Sequence, residues 1–256
     1  MEWTLSPGTF ALVLPFVFLA GLVDSIAGGG GLLSLPAYLA AGLPPHYALG
    51  NNKFSSCFGT FFAALRYWHR GLMDVPVALL GAVAALAGAY AGARVVLLID
   101  PGFLNWLLVV LIPGIAVFTF LKPDLGKEAR HEEISAGRRR LLGALAGLVI
   151  GFYDGFFGPG TGSFLIFFYT LALRYDLVTA NANTKAVNLA SNVAALIGFL
   201  MGGKVIFVLG VPAALAGIAG NLLGAHLVLR NGPRLIRPIF LWGLTALFIK
   251  ILLNLL

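Results

Sequence analysis

Residues 21–58 read GLVDSIAGGGGLLSLPAYLAAGLPPHYALGNNKFSSCF, and residues 151–192 read GFYDGFFGPGTGSFLIFFYTLALRYDLVTANANTKAVNLASN. The second stretch is a degenerate copy of the first. Asp24 aligns with Asp154, Gly28 and Gly30 with Gly158 and Gly160, and Asn51-Asn52-Lys53 with Asn183-Thr184-Lys185. Each copy places an acid at the end of an apolar run, then a glycine break, a short apolar piece, and a lysine early in the next run. A duplicated chain of this kind reads as a membrane transporter.

Composition agrees. The 256 residues are 59% hydrophobic and 11% charged, with mean hydropathy +0.94. Soluble domains carry roughly a quarter charged residues, so this chain has too few polar positions to wet a globule of its size. Apolar stretches of about 20 residues recur, the length a helix needs to cross a bilayer. No alternating pattern of the kind a membrane barrel requires is present. The net charge of +7 sits largely in short loops, where it sets orientation rather than binding nucleic acid. With Cys57 as the sole cysteine, no internal disulfide is available. The first apolar run lacks a basic leader region and carries Asp24, so it does not read as a signal peptide.

Taken in order, the expected elements are a span over 10–27, a short helix over 31–41, and spans over 47–68, 75–98 and 103–121. A charged linker, 122–140, holds six basic and four acidic residues and divides the chain into membrane repeats 1–121 and 141–256. The second repeat follows with 141–157, a short helix 162–173, then 178–200, 205–229 and 235–256. The expected fold is therefore all-α and polytopic, with two homologous four-span repeats and two short glycine-led half-helices. Gly88-x3-Gly92 and Gly220-x3-Gly224 fall at equivalent places and suit close helix packing. The Arg138-Arg139-Arg140 run marks the linker as cytoplasmic. Equivalent loops carry opposite charge bias: Arg66 and Arg70 against Lys204, and one arginine against Arg230, Arg234 and Arg237. That bias predicts inverted repeats. Inversion needs an odd number of crossings per half, so the short glycine-led helix would have to help cross.

Irregular backbone cannot face lipid, so Gly28, Gly29, Gly30 and Gly31 must line a polar cavity or form a tight turn inside protein. A helix beginning after the break offers free N–H groups to an anion. Gly158, Gly160 and Thr161 occupy the matching place. Lys53 and Lys185 sit inside spans, where charge is costly and usually functional; snorkelling to the interface is the alternative. Lys53, Ser56 and Thr60 share one helical stripe, and Asn181, Lys185, Asn188 and Asn192 share another. Such donor-rich stripes suit an oxyanion better than a metal, which would want clustered carboxylates, His or Cys. The candidate substrate contacts are thus the glycines above with Thr161, Asn51, Asn52, Lys53, Ser56, Asn183, Lys185, Asn188 and Asn192. For Asp24 and Asp154 three roles stay open: proton carrier, cation site, or structural cap or lysine partner.

The glycine-tetrad segment, residues 23–59, with its copy in the second half, resembles the TauE/SafE sulfite exporter family of membrane permeases, and within it the probable membrane transporter proteins. The resemblance spans both halves. It implies a carrier of the bacterial inner membrane, with sulfite, sulfonates and related sulfur or organic anions as substrates. Pro159 and Thr161 replace two of the four glycines in the second copy, so the half-sites need not be equivalent.

The reading is a secondary transporter of a small anion, working by alternating access at a midplane site, without cofactor or metal and without enzymatic activity. No G-x-x-x-x-G-K-[ST] motif occurs. Its expected partners are the anion and the lipid bilayer; the sequence leaves the oligomeric state open and is compatible with a homodimer. An anion channel would use the same donors without a closed cycle. An intramembrane aspartyl protease would use Asp24 and Asp154 as a proton-sharing dyad, but has no use for matched lysines and asparagine stripes.

Overall fold

The structure, a computed structural model, describes residues 5–107 and 131–231. Every regular element among them is helical: α1 (Pro7–Ala27), α2 (Gly31–Ala40), α3 (Pro45–His69), α4 (Val75–Val96), α5 (residues 101–107), a 3-10 turn (His131–Glu133), α6 (Ala136–Phe156), α7 (Thr161–Ala172), α8 (Leu177–Met201) and α9 (Phe207–Asn231). The expected spans 103–121 and 235–256, and the linker up to residue 130, lie wholly or mostly outside the described residues. Span boundaries elsewhere agree with the sequence reading to within a few residues.

Local chemistry explains where the helices start and stop. Ser6 caps α1 in a reciprocal box with Thr9, followed by Pro7. Asp74 caps α4, and Asp176 caps α8 by accepting from the amides of Val178 and Thr179 at 2.9 and 3.0 Å. At the other end of α1, Gly28 adopts φ 68° and returns its N–H to the Asp24 carbonyl. Gly160 adopts φ 84° immediately before α7. Both positions use the left-handed region that glycine enters without penalty.

Four of the described helices, α1, α4, α8 and α9, are long and apolar enough to cross a membrane. With 25 and 21 residues, α3 and α6 have comparable length. They are less apolar because α3 carries its polar stripe and α6 begins with three arginines. Leu79, Val83 and Leu86 leave an apolar ridge exposed on α4, as Leu141, Leu145 and Val149 do on α6. Polar side chains such as Asn51, Lys53, Asn183 and Lys185 are buried instead. An apolar exterior around a polar centre fits lipid as the solvent.

Contacts fix the helix directions. Gly81 meets Gly147 and Ala85 meets Gly151, so α4 and α6 run parallel. Gly220 lies against Phe18 and Gly224 against Ser25, so α9 runs parallel to α1. Gly210 near Asn51 and Arg66 against Leu222 set α9 parallel to α3. Gly81 near Val187 and Ala93 near Gly198 do the same for α4 and α8. Finally, Lys53 with Asn192 and Tyr67 with Asn181 make α3 antiparallel to α8. The result is two triplets, α1–α3–α9 pointing one way and α4–α6–α8 the other, meeting along α3 and α8.

Two consequences follow for topology. Since α1 and α3 are parallel, α2 must carry the chain back along the axis between them, and α7 does the same between α6 and α8. The packing also crosses the chain's midpoint, because α4 lies on α6 and α8 while α9 lies on α1 and α3. The paired glycines make this approach close: a Cβ on Gly88 or Gly92 would collide with the α6 backbone, and one on Gly220 with that of α1.

Candidate anion site and its crossed ion pairs

The two glycine breaks meet at the centre, where the Gly28 backbone packs directly on Gly162 and Gly31 packs on Pro159. The end of α1 at this junction is held by donors from several elements. Asn181 Nδ2 donates to the Ser25 carbonyl at 2.9 Å, Tyr67 Oη to the same carbonyl at 2.9 Å, and Ser163 Oγ to the Gly28 carbonyl at 2.7 Å. In lipid these terminal carbonyls have no water to turn to, so each requires such a partner.

Around the junction the matched acids and lysines pair across the chain's midpoint. Lys53 Nζ lies 2.7 Å from Asp154 Oδ1, and Lys185 Nζ lies 2.8 Å from Asp24 Oδ2. All four side chains are largely or wholly buried, Asp24 being the most open at 15%. The surroundings of the two pairs differ. Lys53 also donates to Asn192 Oδ1 at 3.2 Å, and Asp154 Oδ2 accepts from Ser191 Oγ at 2.6 Å. Lys185 instead adds a hydrogen bond to the backbone carbonyl of Asp24.

One buried chamber collects most of the sequence-predicted residues. Its wall contains Gly28, Gly29, Gly30, Gly31, Asn52, Lys53, Ser56, Asp24, Asp154, Gly158, Gly160, Thr161, Asn188 and Asn192. The amides of Gly29, Gly30 and Gly160 have no protein acceptor among the described residues. These three glycines and Lys53 line the same space, together with the carboxylates of Asp24 and Asp154. The free room is about 20 Å³, on the scale of a water or two.

Three predicted contacts lie outside the wall. Asn51 and Asn183 each donate to a carbonyl one turn earlier, those of Tyr47 and Thr179, at 2.8 Å. Asn51 Oδ1 also accepts the Ile206 N–H, which ties α3 to the start of α9. Lys185 is absorbed by Asp24. Sequence reasoning missed Ser191, Ser34 and Asn221. Ser34 Oγ donates to Asn52 Oδ1 at 2.5 Å, which orients that amide. The signal for Asn221 was present, as a lone amide inside an apolar span.

A helical membrane bundle with broken helices and a buried, cation-bearing chamber at the break belongs to the class of membrane transporters. The comparisons specify which. The chain belongs to the sulfite exporter TauE/SafE family, whose model matches residues 13–251. It is 36% identical over 237 residues to the probable membrane transporter protein YfcA of Escherichia coli K12, covering 91% of this chain and 86% of the relative. It is also 36% identical over 242 residues to the probable membrane transporter protein ORF9 of a Sinorhizobium species, covering 94% and 92%. A Bacillus subtilis relative, the probable membrane transporter protein YdhB, is 23% identical over 216 residues. No solved structure matches the chain.

Proposed function

We propose that the chain is a secondary transporter of small oxyanions, with sulfite, sulfonates and related sulfur or organic anions as the substrate class. The observation that carries the reading is one chamber lined both by Lys53 and by Gly29, Gly30 and Gly160, whose amides have no protein acceptor among the described residues. Amides at helix starts and a desolvated ammonium are strong anion donors. Asn52, Asn188, Asn192, Ser56 and Thr161 complete the wall, and the family description points to sulfite. Asn51, Asn183 and Lys185 then act from behind the wall.

Binding starts from the ion pair. In this structure Asp154 occupies Lys53, so an incoming anion competes with the carboxylate for the same ammonium. Access requires the two triplets to part, and we infer that α1–α3–α9 moves against α4–α6–α8 around the glycine junction. Residues 1–121 and 141–256 are the two repeats in this reading. It is supported by matched elements that run in opposite directions: α1 against α6, α3 against α8, α4 against α9. The return passages of α2 and α7 supply the extra crossing that inversion demands. Arg66, Arg70, Arg138, Arg139, Arg140, Arg174 and Arg230 fall at one end of the bundle and Arg94 and Lys204 at the other, so the arginine-rich end faces the cytoplasm of a bacterial inner membrane.

The protease alternative is disfavoured because each acid is paired with a lysine and not with the other acid, as a proton-sharing dyad would require. Flux of sulfite, thiosulfate, a sulfonate and a carboxylate through purified protein in liposomes tests the proposal. Saturable flux with counter-transport separates carrier from channel. Absence of flux for every anion overturns the reading.

A further inference from the structure

Beside the anion chamber lies a second cavity of about 20 Å³, whose wall includes Asp24, Gly30, Ser56, Thr60, Gly217 and Asn221. Asp24, Gly30 and Ser56 belong to both cavities, so they form the partition between them. Two residues of its wall carry a buried oxygen with no partner, Thr60 Oγ1 and Asn221 Oδ1, and are only 1% and 3% exposed. The amide orientation of Asn221 is fixed by its neighbour, because Nδ2 donates to the Gly217 carbonyl at 3.0 Å and leaves Oδ1 as the free end. An unpartnered buried acceptor is costly and calls for an occupant.

The chemistry of the wall selects that occupant. Its polar side chains offer hydroxyls, an amide oxygen and one carboxylate, and the one amide nitrogen is already engaged. Hard oxygen donors suit a hard cation, and a single carboxylate suits a monovalent ion better than calcium or magnesium, which gather more oxygen charge. The described residues contain no cluster of His, Cys, Asp and Glu for a transition metal. The facing cation is Lys185, which holds Asp24 but lines neither cavity. We propose that this second cavity is a sodium-ion site.

A sodium ion here takes over part of the Asp24 carboxylate from Lys185. It also sets positive charge one wall away from the anion chamber. Each ion then favours the other, and the gain is reciprocal by linkage. The sodium site stands without the transport reading; the coupling rests on it and makes the protein a sodium–anion cotransporter.

Binding of radiolabelled sodium to the purified protein in choline chloride tests the site without any oxyanion substrate. Saturable binding is expected in the wild type, weakened at least tenfold by Thr60→Val and by Asn221→Ala. A wild type that binds no sodium, and whose melting temperature is the same in sodium and choline chloride, overturns the site and leaves a structural water there. So does wild-type binding in both variants. If both variants fail to fold, the two wild-type measurements decide alone. Sulfite flux into liposomes, with sodium or choline outside, tests the coupling. Equal flux in both overturns coupling while leaving the transporter intact, whereas sodium binding without any anion flux keeps the site and overturns the anion reading.

Discussion

Lys53 and Asp154, separated by about a hundred residues of chain, form a 2.7 Å ion pair in the wall of the central chamber. The equivalent positions in the other half, Lys185 and Asp24, form a second pair at 2.8 Å that stands largely behind the wall. The two pairs thus differ in place: the Lys53 side chain lines the chamber, whereas Lys185 does not.

Separating stability from transport at the first pair requires a double substitution. Lys53→Met alone leaves Asp154 buried without its counter-ion and should cost roughly 3–5 kcal/mol. Lys53→Met combined with Asp154→Leu should recover most of that stability, because no charge is left stranded. Neither variant should bind anion. Melting in detergent and flux in liposomes, measured on the same preparations, check both halves of this expectation; anion flux in the double variant contradicts the role given to Lys53.

The inequality of the two lysines makes a second prediction. Lys53→Ala should abolish the rise in melting temperature produced by sulfite, whereas Lys185→Ala should lower the basal melting temperature yet keep a sulfite-induced rise. Equal loss of that rise in both variants would mean that Lys185 reaches the anion directly.

Helix packing supplies the third. A Cβ at Gly88 would run into the Leu148 carbonyl, and the same holds for Gly220 against Phe18. Gly88→Ala and Gly220→Ala should each destabilise the bundle by roughly 1–3 kcal/mol through overpacking. The readout is thermal unfolding in detergent, with anion affinity of the folded fraction unchanged. Gly30 is a poorer probe of anion contact than its place in the sequence suggests. A Cβ there would meet the Ala20 carbonyl at 2.6 Å, so bulk disturbs α1 as well as the chamber.

At the arginine-rich end, Tyr175 Oη donates to Asp74 Oδ2 at 2.6 Å. Burial and then this carboxylate push the phenol well above its ordinary range, so it stays a donor at any physiological pH. Tyr175→Phe should cost about 1–2 kcal/mol, the value of a hydrogen bond to a charged acceptor, and should leave anion binding untouched. Isothermal binding and melting curves on the same variant distinguish this end-cap role from a part in the site.

Much was determined by the sequence alone. Its composition demanded lipid as solvent, and apolar stretches of about 20 residues made helices the economical way to satisfy the backbone there. The glycine breaks, the matched Lys53 and Lys185, and the matched Asp24 and Asp154 were all legible, because charge and irregular backbone inside a membrane need a reason. What the tertiary structure decided was partnership. No spacing rule says that Lys53 takes Asp154 rather than nearby Asp24, since that depends on α4 and α9 crossing to the other half and on α3 meeting α8 antiparallel. Nor does a stripe on a helix say which of its members faces the chamber. Asn51 and Asn183 lie in the right stretch, but a short amide reaches its own helix carbonyl first, and the rotation of α3 and α8 in the bundle leaves Lys53, Asn188 and Asn192 to line the space.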